Sequence, residues 1–166
     1  MSRGVRGASL YTEAHERARF LDLLANACDR YEWQTFGYCL MGNHYHLVVR
    51  TMEPTLSRGM QWLNGCYARW FGDRHGHEGH VLFRRFHSVL VESDAQLVNT
   101  LRYVLRNPVA AGLCARPEDW RWSSYAATMG NGAPPRFLVT DWFLDQFGDH
   151  PDQARANFTA FIREER

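Results

Sequence analysis

A β-hairpin near the centre of the chain is the feature that most restricts the fold. Two runs of strand-forming residues, 33–41 and 44–50, are separated only by Gly42 and Asn43. A two-residue connection of this composition is typical of a tight hairpin turn between antiparallel strands. The sequence therefore predicts an antiparallel sheet with this hairpin in it.

The second strand of the hairpin carries two histidines, His44 and His46. Alternate residues of a strand point to the same face, so both imidazoles are expected on one side of the sheet. Two histidines so placed are able to share one divalent cation, since imidazole is a common metal ligand. A complete site needs a further ligand from elsewhere in the chain.

A helix is predicted about sixty residues later. Ser93 and Gln96 have the spacing of a capping box at its start. An apolar stripe at helical spacing follows, formed by Leu97, Leu101, Val104 and Leu105. Tyr103 and Asn107 lie one turn apart on a face away from that stripe. Tyr103 is therefore not needed for the helix core, and its hydroxyl is a candidate nucleophile toward phosphorus.

The remaining pattern is that of an α+β protein. A helix is expected over 13–31 with Thr12 as its cap, a second helix over 56–70, and a further strand over 81–91. The tail, residues 115–166, has three tryptophans and a short amphipathic end.

Length and composition fit one domain with a substantial core, at 166 residues and 45% hydrophobic. No long apolar run or signal peptide is visible, so we expect neither a membrane association nor secretion. The four cysteines are scattered without a Cys-x-x-Cys pair. This spacing disfavours a closed structural zinc site and favours a reducing cytoplasm. All nineteen basic residues are arginine, which suits phosphate contacts and also fits simple codon bias.

Taken together, these motifs resemble the single-tyrosine HUH transposases, and among them the REP-associated tyrosine transposases of the IS200-like group. The histidine pair has the His-hydrophobe-His form. The other matching blocks are residues 40–43, 56–65, 79–80, 103–113 and 117–125. The resemblance extends from about residue 2 to residue 148.

The resemblance implies a ferredoxin-like or RRM-like antiparallel sheet with helices on one face. Residues 1–114 would form the core, and 115–166 a short helical tail packed on it. In the family, the first strand ends near an Arg-Gly pair and lies in the middle of the sheet. Arg3 and Gly4 occupy that place here, so we expect a truncated first strand, from either a late-assigned start codon or a shortened remnant.

The resemblance also implies a reaction. His44, His46 and Asn107 would hold Mg²⁺ or Mn²⁺, ions that suit a site completed by oxygen ligands. Tyr103 would attack single-stranded DNA beside a REP-like hairpin, giving a 5′-phosphotyrosine and a free 3′-hydroxyl. Two alternatives stay open: a hairpin-binding protein that no longer cuts, and a phosphodiesterase that uses water.

Several residues are candidates for DNA contact. Arg84 and Arg85 stand on the predicted third strand, where relatives often carry a Gly-Arg-aromatic-Lys pattern; two solvated arginines are the equally weighted alternative. The weaker candidates are Arg58, Trp62, Arg69 and Arg106. We expect a cytoplasmic, nucleoid-associated protein, and the sequence leaves a monomer or a homodimer open.

Overall fold

The computed structural model describes residues 1–77, 79–83 and 85–164. Three strands and six α-helices carry the labels used below. The strands are β1 (Ser2–Arg3), β2 (Trp33–Leu40) and β3 (His44–Thr51). The helices are α1 (Ala14–Tyr31), α2 (Leu56–His75), α3 (Asp94–Ala110), α4 (Tyr125–Thr128), α5 (Asp141–Leu144) and α6 (Pro151–Arg163). The predicted α+β class is confirmed. Within the described ranges, no helix is both long and apolar enough to cross a bilayer.

The strands form one antiparallel sheet in the order β1-β3-β2. The hairpin is confirmed: β2 and β3 pair from Trp33 opposite Thr51 to Leu40 opposite Tyr45. The amide of Met41 donates to the carbonyl of His44 at 2.9 Å and closes the turn. β3 is therefore the strand with neighbours on both sides.

β1 is short, as expected, and pairs only with the first two residues of β3. Its other edge contacts the chain after α2, where the amide of Phe83 donates to the carbonyl of Arg3 at 2.8 Å. The predicted strand over 81–91 is wrong, since the described part of this stretch contacts residues 1–5 through an isolated bridge from Leu82 to Gly4 and separate backbone hydrogen bonds, without a continuous ladder. A two-residue strand has too few amides and carbonyls to support a longer neighbour.

Helices cover both faces of the sheet, which corrects the expectation of a single covered face. α1 and α2 pack on the face that carries Tyr45, whereas α3 and α6 pack on the face that carries Cys39 and Val48. The burial of β2 shows why both faces are covered, because seven of its eight residues are buried. A strand buried on both faces needs a layer of structure on each side.

The helix starts agree with the sequence to within a residue. The α1 cap is Glu13 rather than Thr12, and both of these residues donate backbone amides to the carboxylate of Glu16. At α3, the Ser93 hydroxyl accepts from the amide of Gln96 at 3.2 Å, as predicted.

The C-terminal tail completes the second face and the outer edge of β2. The amide of Ser124 donates to the carbonyl of Tyr38, and Leu40 donates to Trp122. Phe143, Phe158 and Ile162 share a core with Leu101 of α3, for which reason we expect the tail to fold with the sheet. The domain boundary at residue 114 stays a prediction.

Candidate active site

His44 and His46 form a pair on one face of β3. Their ring centroids lie 5.1 Å apart, with the ring planes at 80°. Tyr45 between them points to the opposite face, where it is buried against Phe20. The alternation of the strand thus brings the two imidazoles together at the start of β3, as the sequence predicted.

Both histidines are in surroundings that favour the neutral ring. Burial lowers the pKa of His46 to about 4, and the charges of His44 and of the N-terminus act in the same direction. Burial also lowers the pKa of His44, while the nearby Asn107 side chain acts in the opposite direction. At neutral pH both rings therefore keep a lone pair that a cation can use.

Two asparagines lie beside His44. His44 Nδ1 lies 2.8 Å from Asn43 Oδ1; an amide oxygen only accepts, so Nδ1 donates and Nε2 keeps the lone pair. Asn107 stands beside His44 on α3, close enough to influence the pKa of that ring, and its Nδ2 donates to the carbonyl of Tyr103 at 3.3 Å. Among the described residues, no cluster of three His, Cys, Asp or Glu side chains exists that would suit a metal. A cation here would need the Asn107 amide oxygen and ligands from outside the chain.

Tyr103 stands beside the histidines on α3. Its ring lies 5.6 Å from that of His46 at 84°, and its side chain is 62% exposed. The opposite side of the helix is buried through Leu101, Val104 and Leu105. Within the described part of the chain, the Tyr103 hydroxyl makes no hydrogen bond. The structure thus places the four predicted residues next to one another and leaves the Tyr103 hydroxyl accessible. They are His44, His46, Tyr103 and Asn107.

The predicted DNA-contact residues are more widely spread. Arg58 and Trp62 lie near the far end of β3, where the guanidinium of Arg30 stands 5.7 Å over the Trp62 ring. Arg69 lines an open cleft of about 570 Å³ between α2 and residues 76–77 and 79–82. These three residues are therefore not part of the histidine–tyrosine site.

The remaining arginines differ in what they contact. Arg85 is exposed, and Arg84 lies outside the described residues. Arg106 donates to the carbonyls of Ile162 at 2.8 Å and Glu164 at 2.6 Å, so it holds the end of α6.

Two features were not predicted. Arg3 lies directly across from His44 in the sheet. Glu16 is fully buried and contacts His75 at 2.5 Å, which ties the start of α1 to the end of α2. Both depend on long-range pairing that sequence periodicity does not report, although the Arg-Gly pair marked the end of β1.

The family model described as "Transposase IS200 like" matches residues 6–107, a range that includes both histidines, Tyr103 and Asn107. The chain belongs to the IS200-like transposase family. The family predicted from the sequence is thereby confirmed.

Individual relatives of this IS200-like transposase agree with the assignment. The chain is 25% identical over 144 residues to a Haemophilus influenzae protein provisionally named a REP-associated tyrosine transposase, covering 80% of this chain and 77% of the relative. A solved REP-associated tyrosine transposase bound to a REP hairpin superposes with a TM-score of 0.67. That match has 14% identity and covers 84% of this chain and 82% of the other, so it establishes the shared fold.

Proposed function

We propose that this chain cleaves and rejoins single-stranded DNA beside a REP-like hairpin through a covalent 5′-phosphotyrosine on Tyr103. The observation that carries the proposal is the accessible Tyr103 ring beside the His44–His46 pair. A protein that acts on DNA in this way would work at the nucleoid in the cytoplasm.

The proposed step is a transesterification. The Tyr103 oxygen forms a bond to phosphorus while the bond from phosphorus to the 3′ oxygen breaks, and the tyrosine loses a proton as the 3′ oxygen gains one. The number of phosphodiester bonds does not change, so the reverse attack by a 3′-hydroxyl rejoins DNA. A neutral phenol is a weak nucleophile, so the step needs a group that takes its proton as the new bond forms.

The residues present fit a divalent cation. His44 and His46 offer neutral rings, and Asn107 offers an amide oxygen on the same side. We propose that these three hold Mg²⁺ or Mn²⁺, which when bound would polarise a phosphate oxygen. The chain's own contribution is to hold the rings and Tyr103 in fixed positions around that place.

The proposed substrate follows from the relatives. One curated relative has REP association in its name, and a protein of the same fold is bound to a REP hairpin. We therefore propose single-stranded hairpin DNA as the partner.

An adduct assay tests the proposal. A labelled single-stranded REP-type hairpin with its flanking strand, incubated with Mg²⁺ or Mn²⁺, should give a protein–DNA adduct that survives a denaturing gel. Tyr103→Phe should bind the hairpin and give no adduct. A duplex of the same sequence should be a poor substrate, because the hairpin does not form in it.

The other outcomes separate the alternatives. Cutting without an adduct that persists in Tyr103→Phe would indicate a water-using phosphodiesterase. Binding without cutting in either metal would indicate a hairpin-binding protein. An adduct on Tyr103→Phe would mean that another tyrosine is the nucleophile.

A further inference from the structure

Arg3 lies on the same face of the sheet as the histidine pair. It pairs with His44 across the antiparallel ladder, and directly opposed residues point their side chains to the same side, about 5 Å apart at Cβ. Its neighbour Ser2 points the other way, is buried, and accepts from Asn64 of α2 at 3.2 Å.

The backbone of Arg3 is fixed while its side chain is exposed. Its carbonyl accepts from Phe83, and the residue pairs with β3 on the other side. Among the described residues, the Arg3 guanidinium has no ion pair or side-chain hydrogen bond. Four arginines of the tail are different, since each of them is paired with a carboxylate: Arg116, Arg136, Arg155 and Arg163. Within the described ranges, therefore, no contact of the side chain explains a cation at this position.

We propose that Arg3 binds the phosphate group that Tyr103 attacks. This inference rests on the proposed function and adds a substrate contact from the first strand, upstream of the residues matched by the family model. A guanidinium presents paired N–H donors that fit two phosphate oxygens, and it stays protonated throughout. As the Tyr103 oxygen bonds to phosphorus and the 3′ oxygen leaves, negative charge grows on the non-bridging oxygens. Arg3 would stabilise that charge without giving or taking a proton.

Three variants separate the effect of the Arg3 charge from the effect of its paired N–H donors. Arg3→Gln removes the charge, and Arg3→Lys keeps it without the paired donors. Arg50→Gln is the matched control, because Arg50 is exposed on the same face of β3 and lies six residues from His44, or roughly 20 Å along the strand. Since both arginines are exposed, all three variants should have the same melting temperature as the parent protein.

The first measurement is the rate of adduct formation in a single turnover. Arg3→Gln should lower the rate about 100-fold, as loss of one preorganised donor does at a charged transition state. Arg3→Lys should recover part of that loss, and Arg50→Gln should stay within about twofold of the parent. An unchanged rate in Arg3→Gln, or an equal fall in Arg50→Gln, would overturn the proposal.

The second measurement does not need cleavage. In the Tyr103→Phe background, Arg3→Gln should weaken binding of a flanked REP-type hairpin about tenfold, and binding of the same hairpin without its flank by less than twofold. For the flanked probe, the slope of log affinity against log salt concentration should fall by about the amount that one phosphate contact contributes. An equal loss for both probes, or for neither, contradicts an Arg3 contact at the flank. If this pattern holds while the parent makes no adduct, the phosphate contact stands and the proposed cleavage fails.

Discussion

The ring of Tyr103 meets the ring of His46 edge-on, with 5.6 Å between the centroids and 84° between the planes. One residue belongs to a helix and the other to the central strand, so the contact depends on how α3 packs against the sheet. The arrangement leaves the tyrosine hydroxyl open to solvent beside a histidine that is only 8% exposed. An accessible hydroxyl beside a buried, fixed ring is what the proposed strand-transfer reaction needs.

Replacing Tyr103 by Phe should leave stability unchanged within about 0.5 kcal/mol, because its hydroxyl has no partner in the described part of the chain. Tyr67→Phe is the matched comparison: its buried hydroxyl donates to the carbonyl of Leu10 at 2.5 Å. Losing that bond should cost about 1–3 kcal/mol, since an acceptor is left buried and unpaired. Denaturant unfolding of both variants measures this, and a large loss in Tyr103→Phe would show a structural role for its hydroxyl.

The histidine pair should bind Mn²⁺ without DNA, weakly but measurably by titration calorimetry. His44→Ala and His46→Ala should each abolish the heat signal and the adduct while hairpin binding persists. His150→Ala is the control, because His150 is exposed and lies at the start of α6. Adduct formation that continues in excess EDTA would exclude a metal-dependent reaction.

Two glycines of α2 should respond in opposite directions to alanine. A Cβ at Gly59 would lie 2.1 Å from the ring of Trp33, which is buried and held by a hydrogen bond to Thr55. Gly59→Ala should therefore destabilise the protein by about 1–3 kcal/mol. A Cβ at Gly65 meets nothing within 4 Å, so Gly65→Ala should stabilise it by about 0.5–1 kcal/mol through helix propensity. At about 2–4 °C per kcal/mol, thermal melts resolve both shifts, and the same sign for both would contradict the packing described.

Glu16 should make stability depend on acid pH. Burial opposes ionisation of its carboxyl, but hydrogen bonds from Glu13, His75 and Thr12 outweigh burial and lower the pKa from 4.5 to about 2. Because the folded pKa is the lower one, the stabilisation is fully present above about pH 5 and is lost as the pH falls toward 2. Glu16→Gln should cost about 3 kcal/mol at pH 7, from about 1.4 kcal/mol per pKa unit, and the difference from the parent should shrink with acid.

Denaturant unfolding of the parent and Glu16→Gln at several pH values measures this dependence. Asp22→Asn, at an exposed position of the same helix, serves as the control. A difference between parent and Glu16→Gln that stays constant from pH 7 to pH 3 would contradict the role given to Glu16.

Periodicity along the chain was enough to predict the local elements and the residues of the site. The hairpin with its two histidines on one face and the helix with Tyr103 off its apolar stripe both follow from backbone periodicity, which is a property of neighbouring residues. The sequence blocks shared with the family then indicated that the hairpin and the helix, distant in the chain, form one site.

Which surfaces meet depends on contacts that exist only in the folded chain. The register of β1 placed Arg3 opposite His44, and the packing of α6 directed Arg106 to the last carbonyls of that helix. Residues 81–91 have the composition of a strand, yet the described ones lack a partner strand long enough to form a ladder with. Strand pairing and helix docking depend on contacts between residues far apart in the chain, and for this reason periodicity alone did not predict them.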